Sequence, residues 1–245
     1  MILLAVLLAA ASPTTCAEEA GVAQKTCIAV TAQKAGRFVD AATEFEAGAA
    51  LLRPGDPAGD RMLAAAGNMW IAAGQPGKAA AALDKALAGT GLLTSQRGEA
   101  LLDRARAAEA QGDLKTARAK VTAAAETVTQ DPFLWYFSAA LAIRENDPTT
   151  AKVAIGRALA LQPNDPTLLF EAGHVFEFAG EDAKARDFWN RAAAADPSGK
   201  SGAAARRALA MMDVPLQVTN QVTTQPIEDG EDGASPPQPT PQPKS

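Results

Sequence analysis

PFLWYFSAALAIRENDPTTAKVAIGRALALQPND, residues 132–165, runs directly into PTLLFEAGHVFEFAGEDAKARDFWNRAAAADPSG, residues 166–199. Laid over one another at a spacing of 34 residues, the two segments align without a gap. Self-similarity at such a period marks an array of structural repeats and is read before any single motif. An apolar residue falls at position 4 (Trp135, Leu169), a small one at 8 (Ala139, Gly173) and a turn former at 15 (Asn146, Gly180). Alanine follows at 20 (Ala151, Ala185), a bulky residue at 24 (Ile155, Trp189), alanine at 27 (Ala158, Ala192) and proline at 32 (Pro163, Pro197).

The same template slides backwards along the chain. A copy from Gly98 carries Leu101, Ala105, Gly112, Ala117, Val121 and Ala124, and one from Asp60 carries Leu63, Gly67, Trp70, Gly74, Ala79, Leu83 and Ala86. A copy from Val22 carries Ala29, Gly36, Ala41, Phe45 and Gly48; with Lys25 at position 4 it is the weakest of the five. The copies are numbered here in chain order: 22–55, 60–93, 98–131, 132–165 and 166–199. Residues 94–97 between copies 2 and 3 are expected to lengthen a loop.

This spacing describes a helical hairpin. Positions 4, 8 and 11 line one face of a first helix, and 20, 24 and 27 one face of a second. Glycine or asparagine between them suits a backbone that turns left-handed at a helix end. Small residues at 8 and 20 let the two helices cross closely, the bulky residue at 24 fills the remaining gap, and proline at 32 stops the second helix. One hairpin cannot bury its apolar face alone, so the copies must stack. A composition that is 47% hydrophobic but only 5% aromatic fits closely packed helices better than a β-sandwich.

The pattern closely resembles the tetratricopeptide repeat (TPR) family over residues 22–199. The resemblance implies an all-α, right-handed superhelical solenoid of about five hairpins. Residues 199–212 read as the extra helix that closes such arrays. It also implies that positions 2, 5, 9 and 12 of the first helices line a concave surface. Here these positions include Arg61, Asn68, Leu102, Arg106, Phe133, Tyr136, Ala140, Ile143, Phe170, His174 and Glu177. The expected partner-binding groove consists of Asn68, Leu102, Arg106, Phe133, Tyr136, Ile143, Phe170 and His174. Some members clamp the carboxylates of a peptide terminus with Lys and Asn at positions 5 and 9. Thr26 and Val30 occupy those positions in copy 1, so an apolar or mixed peptide surface is expected instead.

Catalytic and cofactor chemistry finds little to stand on. A single histidine, His174, and two cysteines preclude a Cys/His zinc site and leave any His-based triad resting on one residue. Gly199-Lys200-Ser201 resembles the end of a phosphate loop. The glycine the loop needs is replaced by Ala194, and a helix rather than a strand precedes it. The pairs Glu44/Glu46, Asp103/Glu109 and Glu171/Glu177 read as solvated charge, and Trp70, Trp135 and Trp189 sit at packing positions. The chain is therefore expected to be non-catalytic, without cofactor or metal. With a net charge of −5 and no basic run, nucleic acid is disfavoured as a partner. A protein or peptide is expected, and a self-assembling structural protein is the alternative. The oligomeric state is not legible.

The two ends differ from the array. Residues 1–17 open with Met1-Ile-Leu-Leu-Ala-Val-Leu-Leu-Ala-Ala-Ala11, too short to span a bilayer but suited to the apolar region of a secretory signal. Cleavage after Ala17 removes Cys16, whereas cleavage near Ala11 keeps it. Cys16 and Cys27 are then either a disulfide or two unrelated thiols. Pro13-Thr14-Thr15-Cys16 does not satisfy a lipobox, so lipidation is not expected and a periplasmic or secreted location is. Residues 213–245, with seven prolines and the acidic stretch Glu228-Asp229-Gly230-Glu231-Asp232, read as a disordered tail without an EF-hand pattern.

Overall fold

The computed structural model describes residues 16–213, so all but the last two residues of the expected signal segment, 1–17, and the expected tail beyond Asp213 lie outside the described residues. Within them the chain forms eleven α-helices and no strand. First helices are α1 (Gly21–Lys34), α3 (Pro57–Ala72), α5 (Thr94–Ala110), α7 (Pro132–Arg144) and α9 (Pro166–Phe178). Each pairs with a second helix: α2 (Phe38–Ala50), α4 (Pro76–Ala88), α6 (Leu114–Ala124), α8 (Pro148–Leu161) and α10 (Asp182–Ala195). Helix α11 (Lys200–Met212) closes the array.

Local chemistry sets these boundaries. Asp56, Asp131, Asp147 and Asp165 each stand before a proline at the first helical position and accept a backbone N–H of the first turn. Proline there loses no hydrogen bond, and the carboxylate satisfies an orphan donor. Between the helices of each hairpin, position 15 turns left-handed in all five copies. Gly36, Gly74, Gly112 and Gly180 have φ of 71°, 68°, 80° and 74°, and Asn146 has 58°. The alanines at position 20 (Ala41, Ala79, Ala117, Ala151, Ala185) are fully buried, and the bulky residue at 24 is buried in every copy. Alanine keeps the helix axes close, while the large, fully buried Leu83, Leu134, Leu141, Ile155, Leu169 and Trp189 contribute about 1.5–3 kcal/mol each.

Three local features depart from the template. Residues 94–97 do not lengthen a loop. They form the first turn of α5, where the Gln96 side chain accepts the Leu93 N–H and Arg97 donates to Leu87 O at 2.9 Å. Four residues are close to one helical turn, so the insertion is absorbed without changing which face is buried. Residues 57–59 extend α3 in the same way. In copy 1, Lys25 occupies the apolar slot and pairs with Glu44 of α2 at 2.8 Å. Trp135 is only half-buried; its Nε1 donates to Thr129 O at 2.8 Å and Arg157 lies over its ring.

Cys16 and Cys27 form a disulfide that ties a short 3-10 turn, Cys16–Glu18, to α1. The junction between copies 3 and 4 is built differently from the rest. Helices α6 and α7 make fewer close backbone approaches than any other consecutive pair. Leu134, Phe137 and Leu141 of α7 fill the space between α7 and the preceding hairpin. Arg118 of α6 spans the gap, donating to Glu145 at 2.9 Å and to the buried Ser138 Oγ at 3.0 Å. Arg144 reaches back to Glu109 of α5.

Candidate functional site

The first helices lie side by side: α3 touches α5, α7 touches α9, and α9 touches α11. Their shared face carries two regions of different chemistry. In the N-terminal half, α1, α3 and α5 enclose a cleft of about 280 Å³. Its rim is polar (Gln33, Arg61, Asn68, Gln96, Glu99, Asp103), and Phe45, Met69 and alanines form its floor. Asp103 is the hub, accepting from Asn68 Nδ2 at 2.7 Å and from Arg106 Nη1 at 2.8 Å. Arg106 in turn places its guanidinium 5.5 Å from the centre of the Phe133 ring, carrying the chain of contacts across the α5–α7 junction.

The C-terminal half is aromatic. Phe133, 39% exposed, packs against Tyr136 with ring centres 5.7 Å apart. On α9, His174 stands edge-on to Phe170 at 4.6 Å and to Trp189 at 5.3 Å. Its Nδ1 lies 3.5 Å from Glu177. Trp189 comes this close because Gly173 leaves room: a Cβ there would sit 2.1 Å from Trp189 Nε1. That Nε1 donates to Phe170 O at 3.1 Å, fixing the ring that backs the patch. Glu171 sits among these groups, half-buried; burial pushes its carboxyl above the ordinary range, against the pull of His174. Burial also raises the Tyr136 phenol, and the Glu171 charge adds to the effect.

No family model matches the sequence, and no curated protein matches it. Solved structures do. PilW, a widely conserved type IV pilus biogenesis factor, superposes with a TM-score of 0.66 at 16% identity, over 77% of this chain and 82% of its own. A tetratricopeptide repeat protein from Parabacteroides merdae gives 0.64 at 15% identity, over 78% of this chain and 73% of its own. YrrB, a TPR protein with an unusual peptide-binding site, gives 0.57 at 15%, over 75% and 91%. This chain has the TPR fold.

Within that TPR array the expected groove residues separate into three kinds. Asn68 and Arg106 are half-buried and committed to Asp103. Tyr136, Ile143, Phe170 and His174 are half-buried, the first three also packing against the core beneath them. Phe133 is exposed. Leu102 does not belong to the open face: it is 4% exposed, because the long side chains of α7 reach over α5 and enclose it with Leu134, Phe137 and Leu141. Asp103 and Glu171, read from sequence as solvated charge, are instead half-buried at position 6 of their copies. Their common position was the available signal. Among the described residues no group of three or more His, Cys, Asp or Glu side chains is placed to hold a metal ion. No helix among them is long and apolar enough to cross a membrane.

Proposed function

We propose that this chain is a non-catalytic scaffold of the bacterial cell envelope that binds a peptide segment or protein along its first-helix face. One observation carries the reading. The side chains on that face, from Arg61 and Asn68 through Phe133 to His174, are surplus to the packing template, yet they form a polar cleft and an aromatic patch in line. A preformed surface with half-exposed aromatic anchors binds at low entropic cost, since few rotors remain to be frozen. The Cys16–Cys27 disulfide supports an oxidising compartment and retention of Cys16 after export. Peptide binding by YrrB and the role of PilW in pilus biogenesis belong to those proteins and supply only precedent for this fold.

The test is a crosslinked pull-down from envelope extract with the oxidised protein, beside an Arg61→Glu, Phe133→Glu variant. Both residues are exposed, so circular dichroism should show an unchanged fold. Capture of a protein by the wild type and its loss with the variant is the expected result. Equal capture by both would place the interaction elsewhere, and capture of only the chain itself would replace the scaffold with a self-assembling protein.

A further inference from the structure

Glu171 differs from every other half-buried carboxylate among the described residues. Glu44 pairs with Lys25, Glu109 with Arg144, Glu145 with Arg118, and Glu181 with Lys152 and Lys184. Glu46 accepts from Trp70 Nε1, Asp60 from the Gly91 N–H, and Asp196 from the Ser201 N–H. Asp56, Asp131, Asp147 and Asp165 cap helices. Glu171 has no salt bridge and no hydrogen-bond donor among the described residues, and only His174 lends it any positive charge. A half-buried carboxylate that no protein group engages is free to accept a donor brought by a ligand.

The repeat itself says what is missing. Asp103 stands at position 6 of copy 3, and Glu171 at position 6 of copy 5. Asp103 is satisfied by position 9 of the preceding copy, Asn68, and by position 9 of its own copy, Arg106. The equivalent positions around Glu171 are Ala140 and His174. Alanine supplies no donor, while His174 directs its Nδ1 to Glu177. The arrangement that is complete in the N-terminal half therefore lacks its N–H-bearing cation here. Tyr136 on α7 lies close enough to feel the Glu171 charge, and Phe170 precedes Glu171 on α9. Elsewhere on this chain the same combination is filled from within: Arg106 pairs with Asp103 and lies over Phe133 at 5.5 Å.

We propose that Glu171 receives a lysine or arginine side chain of the bound partner. Its cation sits against the Glu171 carboxylate and its aliphatic stem lies along Tyr136 and Phe170. Attraction between the cation and the ring faces adds to the ion pair, and the apolar stem covers surface that water now wets. The inference rests on the peptide-binding reading above and gives the partner its chemistry: a basic residue anchored in the C-terminal half of the groove.

The experiment pans the oxidised full chain against a random dodecapeptide display library and measures the enriched peptides by fluorescence polarisation. Peptides sharing a Lys or Arg at one fixed position are expected. Replacing that residue by norleucine should weaken binding about tenfold or more, Glu171→Gln should do the same, and the two losses should not add. Ala140→Asn, which supplies from within the amide that Asp103 receives from Asn68, should also weaken binding while Glu171 stays in place. Peptides without a basic residue, insensitive to Glu171→Gln but lost in Arg61→Glu, Phe133→Glu, would overturn the inference and leave the groove reading standing. Failure to enrich any peptide would overturn both. Displacement of the library peptides by a synthetic peptide of residues 214–245 would assign the site to the chain's own tail and overturn it too.

Discussion

Gly173→Ala should be among the more damaging single-methyl additions to this chain. The new Cβ would lie 2.1 Å from Trp189 Nε1, 2.3 Å from Cδ1 and 2.6 Å from Cε2. These are atoms of a rigid ring that is 1% exposed, so nothing flexible can give way. Overpacking of this kind costs about 1–3 kcal/mol, and a rigid obstacle belongs at the upper end. Moving the ring also breaks the Trp189 to Phe170 hydrogen bond, about 1 kcal/mol more. Alanine returns about 1 kcal/mol through its better helix propensity. The net loss is about 2–3 kcal/mol, which for a chain of this size lowers Tm by roughly 5–10 °C. Gly156→Ala is the matched control. Its Cβ would meet nothing within 4 Å, so only the propensity gain of about 0.5–1 kcal/mol remains and Tm should rise slightly. Far-UV circular dichroism melts of both variants read the contrast. A Gly173→Ala chain melting at or above the wild type would refute the reasoning, as would equal shifts for the two.

Glu171 holds its proton to higher pH in the folded chain than in the unfolded one, so its contribution to stability is full below the ordinary value of 4.5 and declines as pH rises through its raised one. Denaturation midpoints of Glu171→Gln minus wild type should therefore grow across that window; a flat difference would contradict the burial of the carboxylate. Reducing the disulfide, whose cysteines are 11 residues apart, should cost about 2–3 kcal/mol. Hydrogen exchange should place the loss in α1, and uniform loosening of all eleven helices would be the wrong outcome. Arg118→Met should cost about 1–3 kcal/mol, because it strips donors from Ser138 and leaves Glu145 without its partner. An unchanged urea midpoint would mean that the apolar contacts of α7 hold the junction alone.

The fold was legible because its constraints are local and repeated. A left-handed turn at position 15, alanine at 20 and a bulky residue at 24 each serve one short-range purpose, and recurrence separates them from chance in an alanine-rich chain. What escaped reading depended on neighbours in the next copy. Leu102 looked like an open-face residue because its own hairpin leaves it bare; α7 covers it. Residues 94–97 looked like a loop because the template has a fixed length, although helices tolerate an added turn. Glu171 looked solvated because sequence shows charge and not the absence of a partner. Its significance appears only when Ala140 and His174 are set against Asn68 and Arg106.

The wide α6–α7 junction, bridged by ion pairs, gives the array a point of compliance. In a stack held by alanine against alanine, the pitch is set by contact of backbones and is stiff. Here Leu134, Phe137 and Leu141 share the work with the Arg118–Glu145 and Arg144–Glu109 ion pairs, so this spacing responds to ionic strength. The polar cleft lies on one side of the junction and the aromatic patch on the other, which makes the distance between them a soft coordinate. Small-angle scattering at low and high salt should record it as a change in the maximum dimension of the particle. A ligand that engages both regions would set that distance itself and stiffen the whole array on binding.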